Sequence, residues 1–219
     1  MNHFFINKQA YIFDLDGTLL DTSEGILESV VFTINALKLE MLSVDVLQTF
    51  IGPPIQNSFA EHYQMTPEAA QNAANIFRNY YKSEALLKAK PYIDIYNAFE
   101  SLLNRGKRLA VATYKPEDYA ILILKHFKFD RYCEVMHGAD NLNQLKKKDI
   151  IRLCVNEMGI TNTEALYIGD TKHDAIGAHD AGIDFLGVTY GFGFKNKNDV
   201  DQFPNIGYAT NAQQLVDFL

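Results

Sequence analysis

The sequence predicts an α/β protein: a doubly wound parallel sheet with an inserted α-helical domain. Three observations predict it. Five short apolar runs, Ala10–Phe13, Leu109–Ala112, Val135–His137, Ala165–Ile168 and Phe185–Val188, each end in polar or glycine-rich turns. Runs of that length read as strands buried on both faces. Amphipathic helical stretches alternate with the later runs, which is the signature of parallel strands joined by crossover helices. The long interval between the first and second runs breaks the rhythm and reads almost entirely as helix.

In chain order, the first run is followed by Ser23–Leu39, where Ile26, Leu27, Val30, Val31, Ile34 and Leu37 fall on one side of a helix. Pro54–Tyr63 reads as a short helix. Thr66, Pro67 and Glu68 supply a cap, a first-turn proline and an acidic residue in the order a helix start requires. That helix is expected to continue through Ala69–Leu87. Asn97–Arg105 then returns as a crossover helix. Pro116–Phe127, Ile150–Met158 and Asp174–Ala181 are the later helices, the last two stopped by Gly159 and Gly182. The domain expectation is a core of residues 1–19 and 89–219 and a helical domain of residues 20–88.

Composition narrows the class. Of 219 residues, 47% are apolar and 21% charged, the balance of a chain that buries a core. The formal net charge of -7 opposes simple attraction to nucleic acid or to an anionic membrane. An acidic protein handling phosphates must build a local positive site, most simply with a cation. Cys133 and Cys154 belong to no metal-type cluster and read as buried, reduced thiols. Met1–Phe13 lacks the pattern of a signal peptide, and no run reaches the about 20 apolar residues of a membrane span. A cytoplasmic location is expected.

The strongest chemical signal is Asp14-Leu15-Asp16-Gly17-Thr18, directly after the first apolar run. Two carboxylates two residues apart at a strand end project from the same side of the chain. They repel one another, and a hard cation such as Mg²⁺ relieves that cost. Gly17 permits a sharp turn, and Thr18 offers a hydroxyl and an N–H. The competing reading is an acidic surface turn. Gly169-Asp170 follows the fourth run, and the strand ends of a parallel sheet open onto one edge, so Asp170 should approach Asp14. Asp174 is either a partner of the metal or a helix-start acid favoured by the dipole. Thr113 stands at the end of the second run, where its hydroxyl can hold a phosphate oxygen, although threonines end strands often. The run Lys146-Lys147-Lys148 is either a solvated face or the source of one ammonium that balances the aspartates.

Together these residues resemble the haloacid dehalogenase superfamily, over nearly the whole chain. Asp14-x-Asp16-Gly17-Thr18 is similar to its first motif, Thr113 to the second, the lysine run to the third, and Gly169-Asp170 with Asp174 to the fourth. The third-motif register selects Lys147, with Lys148 as its substitute. The subgroup resembles phosphoglycolate phosphatase-like enzymes with a helical cap after the first strand. The presence of Asp16 points to phosphate chemistry, since the dehalogenases lack that residue. The segment Gly138–Lys148 departs from the commoner glycine- and proline-rich form, and Tyr114 replaces a small residue.

The resemblance implies a Mg²⁺-dependent phosphatase acting on a small-molecule phosphate ester, with no nucleic-acid or membrane partner. Asp14 is then the nucleophile that forms an aspartyl-phosphate, and Asp16 the general acid and base. Thr113 and Lys147 hold the transferring group. Asp14, Asp170, Asp174 and Asp16, the last through its backbone carbonyl, surround the metal. Gly17, Thr18 and Tyr114, with Gly52 and Pro53 of the cap, are the expected substrate-binding residues. The alternatives are a sugar-phosphate mutase, a phosphonate hydrolase using Lys38, Lys82 or Lys88, and a non-catalytic phospho-accepting receiver module. Receiver modules are shorter and lack a helical insert. His173 is expected to face solvent, and Gly191-Phe192-Gly193-Phe194 to form a turn at the rim of the site.

Overall fold

The computed structural model describes residues 8–140 and 144–218. Residues 1–7 of the N-terminal stretch, and 141–143 of the atypical segment before Lys147, lie outside the described residues.

The chain forms two compact units, residues 1–21 with 91–219, and residues 22–90. The boundary falls two residues later at each end than expected. Leu19 and Leu20 are fully buried, and their carbonyls accept from the Tyr92 and Gly17 amides within the first unit. That anchoring keeps them in the core.

The first unit is built on a six-stranded sheet. Its strands are β1 (Ala10–Phe13), β4 (Arg108–Pro116), β5 (Val135–Ala139), β6 (Ala165–Gly169), β7 (Asp184–Val188) and β8 (Gly207–Ala209), β2 (Leu20–Asp21) and β3 (Lys90–Pro91) lying outside it. They run in the order β5-β4-β1-β6-β7-β8, every neighbouring pair parallel. The chain steps outward from β1 to β4 and β5, then crosses back to β6 and moves the other way. The reversal flanks β1, and a crevice at such a switch point is where ligands bind. Every residue of β1 is buried, as a central strand covered on both faces requires.

One face packs Ala10, Ile12, Ala110, Tyr167, Ile151 and Ala178 in a continuous apolar cluster. On the other, Phe13 lies 4.8 Å from Phe99, which stands 5.6 Å from Phe129. The covering helices are α5 (Ile95–Asn104), α6 (Glu117–His126), α7 (Lys147–Met158) and α8 (Lys172–Ala181). Both α7 and α8 begin earlier than their apolar periodicity predicts. Asp149 returns to the Lys146 amide, and Thr171 and Asp174 cap one another, so polar first turns precede the apolar stripe. Gly159 and Gly182 end these helices in the left-handed conformation.

The second unit is helical: α1 (Ser23–Ala36), α2 (Val44–Gln48), α3 (Ile55–Tyr63) and α4 (Pro67–Tyr80). The Thr66 hydroxyl accepts from the Ala69 amide at 3.3 Å, so the expected cap forms. The stretch after α4 continues as a π-turn, Tyr81–Ala85, rather than as α-helix. Phe50, Phe59, Phe77 and Tyr81 are buried inside the unit. Phe32, 41% exposed, stacks on Tyr80 at 4.0 Å. Gly52 and Pro53 stand on the exposed loop between α2 and α3, Gly52 at φ 106°.

Candidate active site

The sheet register brings distant residues to one edge. Phe13 pairs with Val111 and with Ile168, so the chain leaves β1 at Asp14 beside the ends of β4 and β6. The Asp14 amide donates to the Ile168 carbonyl at 2.9 Å, extending the ladder by one residue. Asp170 follows β6 directly, and Asp174 opens α8. Each of Asp14, Asp170 and Asp174 offers a carboxylate oxygen, and the three lie within 4.8 Å of one another. All three residues are buried.

One cation meets them. Lys147 Nζ lies 2.7 Å from Asp14 Oδ1 and 2.8 Å from Asp174 Oδ1, and the Lys147 side chain is 4% exposed. It is therefore Lys147, rather than Lys148, that turns inward. Burial alone would depress the ammonium, but Asp14 and Asp174 more than offset it and hold the pKa above the ordinary lysine range. The rings of Tyr114 and Tyr167 flank Nζ at 5.4 and 5.5 Å.

A single lysine does not balance three buried carboxylates. Burial pushes the Asp14 carboxyl up to about 6; Lys147 pulls it down while Asp174 and Asp16 push it further. Burial also raises Asp170 well above the usual range, helped by the Asp174 and Asp14 charges and opposed by amides of Gly193 and Phe192. These two amides donate to Asp170 Oδ2 at 3.1 and 2.7 Å, while Asp170 Oδ1 is buried without a hydrogen-bond partner among the described residues. An acceptor oxygen left bare among under-neutralised carboxylates fits a hard cation. The donor set, oxygen only, suits a metal of the Mg²⁺ or Mn²⁺ kind.

Close packing reserves the space around Asp170. Gly17 stands at φ 79°, and a Cβ there would meet Asp170 Oδ2 at 2.3 Å. A Cβ on Gly191 would meet the Gly17 carbonyl at 2.2 Å. The Gly191–Phe194 turn is thus the clamp that delivers two amides to Asp170.

The expected site residues divide. Asp14, Asp170, Asp174 and Lys147 converge. Asp174 takes both of the readings open to it, since Oδ2 accepts from the Thr171 amide and hydroxyl while Oδ1 faces Lys147. Thr113 is buried in β4 just past Ala112, where the regular pairing with β5 stops, its hydroxyl accepting from the Lys115 amide at 3.2 Å. The Tyr114 hydroxyl accepts from the Lys147 amide at 2.8 Å, and its ring is 45% exposed.

The structure adds detail at two of the expected positions. The carboxylate of Asp16 stands apart from the group of three, because Lys115 Nζ holds both of its oxygens at 2.9 and 3.0 Å. The Gly17 and Thr18 amides are engaged within the turn itself. They donate to the carbonyls of Leu20 and Leu15, closing the turn, and the Thr18 side chain is fully buried. His173 is exposed, as expected. Lys115 escaped the sequence reading, although a lysine two residues past Thr113 at a strand end was the available signal. Cys133 and Cys154 are buried free thiols.

A doubly wound sheet carrying acidic residues and a buried lysine at its switch point defines a hydrolase site of the aspartate-based kind. Comparison with known proteins agrees. The family model for haloacid dehalogenase-like hydrolases matches residues 11–188. A 5'-nucleotidase of Pseudomonas aeruginosa is 35% identical, over 85% of each chain. A pyrophosphatase of Halalkalibacterium halodurans is 28% identical over 95% of each. A Clostridium acetobutylicum structure described as a predicted phosphatase has a TM-score of 0.86 and 33% identity, covering 95% of this chain and 96% of its own. The chain belongs to the haloacid dehalogenase-like hydrolases, and its reaction class is that of a phosphatase. Among the described residues, no helix is long and apolar enough to cross a membrane.

Proposed function

We propose that the protein is a Mg²⁺-dependent phosphatase of small-molecule phosphomonoesters, with Asp14 as the nucleophile. The observation that carries this reading is the meeting of Asp14, Asp170 and Asp174 within 4.8 Å, with Lys147 Nζ on two of them. Asp14, Asp170 and Asp174 would hold the ion. Bound there, the ion would screen the anionic nucleophile from an anionic substrate and polarise the phosphoryl oxygens.

The residues of the chain divide the remaining chemistry. An Asp14 carboxylate oxygen attacks phosphorus, and the ester P–O bond breaks. The departing oxygen takes its proton from Asp16. Asp16, now a carboxylate, removes a proton from water, whose oxygen attacks the phosphoryl group and releases Asp14. Lys147 holds the Asp14 carboxylate in place and, with the Thr113 hydroxyl, neutralises charge on the transferring group. We further assign the helical unit, residues 22–90, the role of the cap, with Gly52 and Pro53 as its substrate-sensing turn.

The relative at 35% identity is named a 5'-nucleotidase, so nucleoside 5'-monophosphates head the substrate test, followed by pyrophosphate and phosphoglycolate. The test is a phosphate-release screen with Mg²⁺, comparing the protein with Asp14→Asn. Release by the native chain and none by the variant supports the reading. A variant as active as the native chain ends it.

A further inference from the structure

We propose that Lys115 is a positioning residue that holds Asp16 in its catalytic place, an inference that rests on the acid–base role just given to Asp16. Lys115 belongs to the last turn of chain in β4, where the pairing with β5 slips. Ala112 pairs with His137 and Pro116 with Ala139, so four steps along β4 span two along β5. Such a bulge re-aims side chains at a strand end. The Thr113 hydroxyl ties down the Lys115 amide at 3.2 Å inside the bulge. The lysine side chain that results is only 5% exposed, and its ammonium reaches both Asp16 oxygens at 2.9 and 3.0 Å.

A buried ammonium is costly, because a compact, strongly hydrated charge gives up its water. Its placement against a carboxylate that is itself 27% exposed is therefore informative. Asp16 follows Asp14 by two residues and could otherwise turn toward the same metal-type cluster. Gripping both of its oxygens keeps its carboxylate out of the group formed by Asp14, Asp170 and Asp174, and partly exposed. There it can exchange a proton with a leaving oxygen and then with water. Lys147 serves the nucleophile and Lys115 serves the acid–base group, each from its own element.

The test uses the full chain with Mg²⁺ and two substrates, p-nitrophenyl phosphate and glycerol phosphate. The variants are Lys115→Met, Lys115→Arg, Asp16→Asn and the Lys115→Met/Asp16→Asn double variant. Lys115→Met should lower kcat on glycerol phosphate by roughly a hundredfold, the scale of a lost general acid–base contribution. KM should change by less than about threefold, because ground-state binding is untouched. On p-nitrophenyl phosphate, whose leaving group needs little help, a burst of nitrophenol should precede slow turnover. Lys115→Arg should recover at least about a tenth of native kcat, since guanidinium grips a carboxylate at two points. The double variant should be no slower than Asp16→Asn, because the two residues act as one unit.

If Asp16→Asn is impaired while Lys115→Met keeps native kcat, the proposal fails and the role of Asp16 stands. A rise in KM alone, or a double variant that loses both effects multiplied together, also overturns it. If Asp16→Asn itself turns over normally, the acid–base reading falls first. Should Lys115→Met unfold, the double variant, which removes both charges, and Lys115→Arg still decide the question.

Discussion

Two acidic regions stand side by side at the sheet edge and are balanced differently. Asp16 has one carboxylate and one ammonium, Lys115, gripping both oxygens. Among the described residues, Asp14, Asp170 and Asp174 share one ammonium, Lys147, and leave Asp170 Oδ1 without a hydrogen-bond partner. The first arrangement matches one carboxylate with one ammonium, while the second has room for added positive charge. With the roles proposed above, the contrast would separate two tasks: a proton-handling group wants a fixed geometry without a metal, whereas a nucleophile facing an anionic phosphate wants one.

Breaking the under-neutralised cluster should have the largest consequences. Asp14→Asn should reduce turnover by at least about a thousandfold, because the proposed covalent step uses the Asp14 carboxylate. Its fold should persist, as judged by circular dichroism, since one of three crowded buried charges is removed. Lys147→Met works in the opposite direction. It strands the carboxylates without their cation, and the metal-free protein should lose about 3–5 kcal/mol in urea unfolding. Mg²⁺ should return part of that loss, an outcome that a purely packing role for Lys147 would not produce.

Gly17→Ala sharpens the comparison from the backbone side. At φ 79° with a Cβ 2.3 Å from Asp170 Oδ2, alanine is both strained and crowded. The substitution should cost about 1–3 kcal/mol and weaken metal binding, read from a Mg²⁺ titration of the melting temperature.

The pH dependence follows from Asp14. Burial holds its carboxyl at about 6 in the folded chain, above the ordinary aspartate value of 3.8. The proton-linked stability of the metal-free protein is then fully present below about pH 4 and is lost as pH rises through 6. A bound cation favours the ionised form. The rise in melting temperature caused by Mg²⁺ should therefore grow between pH 4.5 and pH 7.5, and a rise equal at both values would contradict the account. The smallest effect is expected from Tyr114→Phe, which removes one acceptor from the Lys147 amide at about 0.5–1.5 kcal/mol.

Much of the architecture was legible because burial on both faces writes itself as unbroken apolar runs. Strands β1, β4, β5, β6 and β7 all begin within a residue of such runs. β8, three residues at the sheet edge, carries too little pattern to be seen. The short α2 has no buried residue and hence no apolar stripe. In the site, Asp14 and Asp170 were legible because strand ends of a parallel sheet must share an edge. The partnership of Lys115 with Asp16 was not, because it depends on a bulge that only pairing with β5 creates. Likewise the amides of Gly17 and Thr18 looked available until the turn supplied carbonyls to receive them.

Asp14, Asp170 and Asp174 are proposed to form one divalent-cation site. Crystals soaked in Mn²⁺, an anomalous scatterer that takes the same oxygen ligands as Mg²⁺, test it most directly. An anomalous peak is expected about 2.0–2.3 Å from carboxylate oxygens of Asp14 and Asp170, absent from crystals of Asp170→Asn. A peak held elsewhere, or one that survives that substitution unchanged, would contradict it.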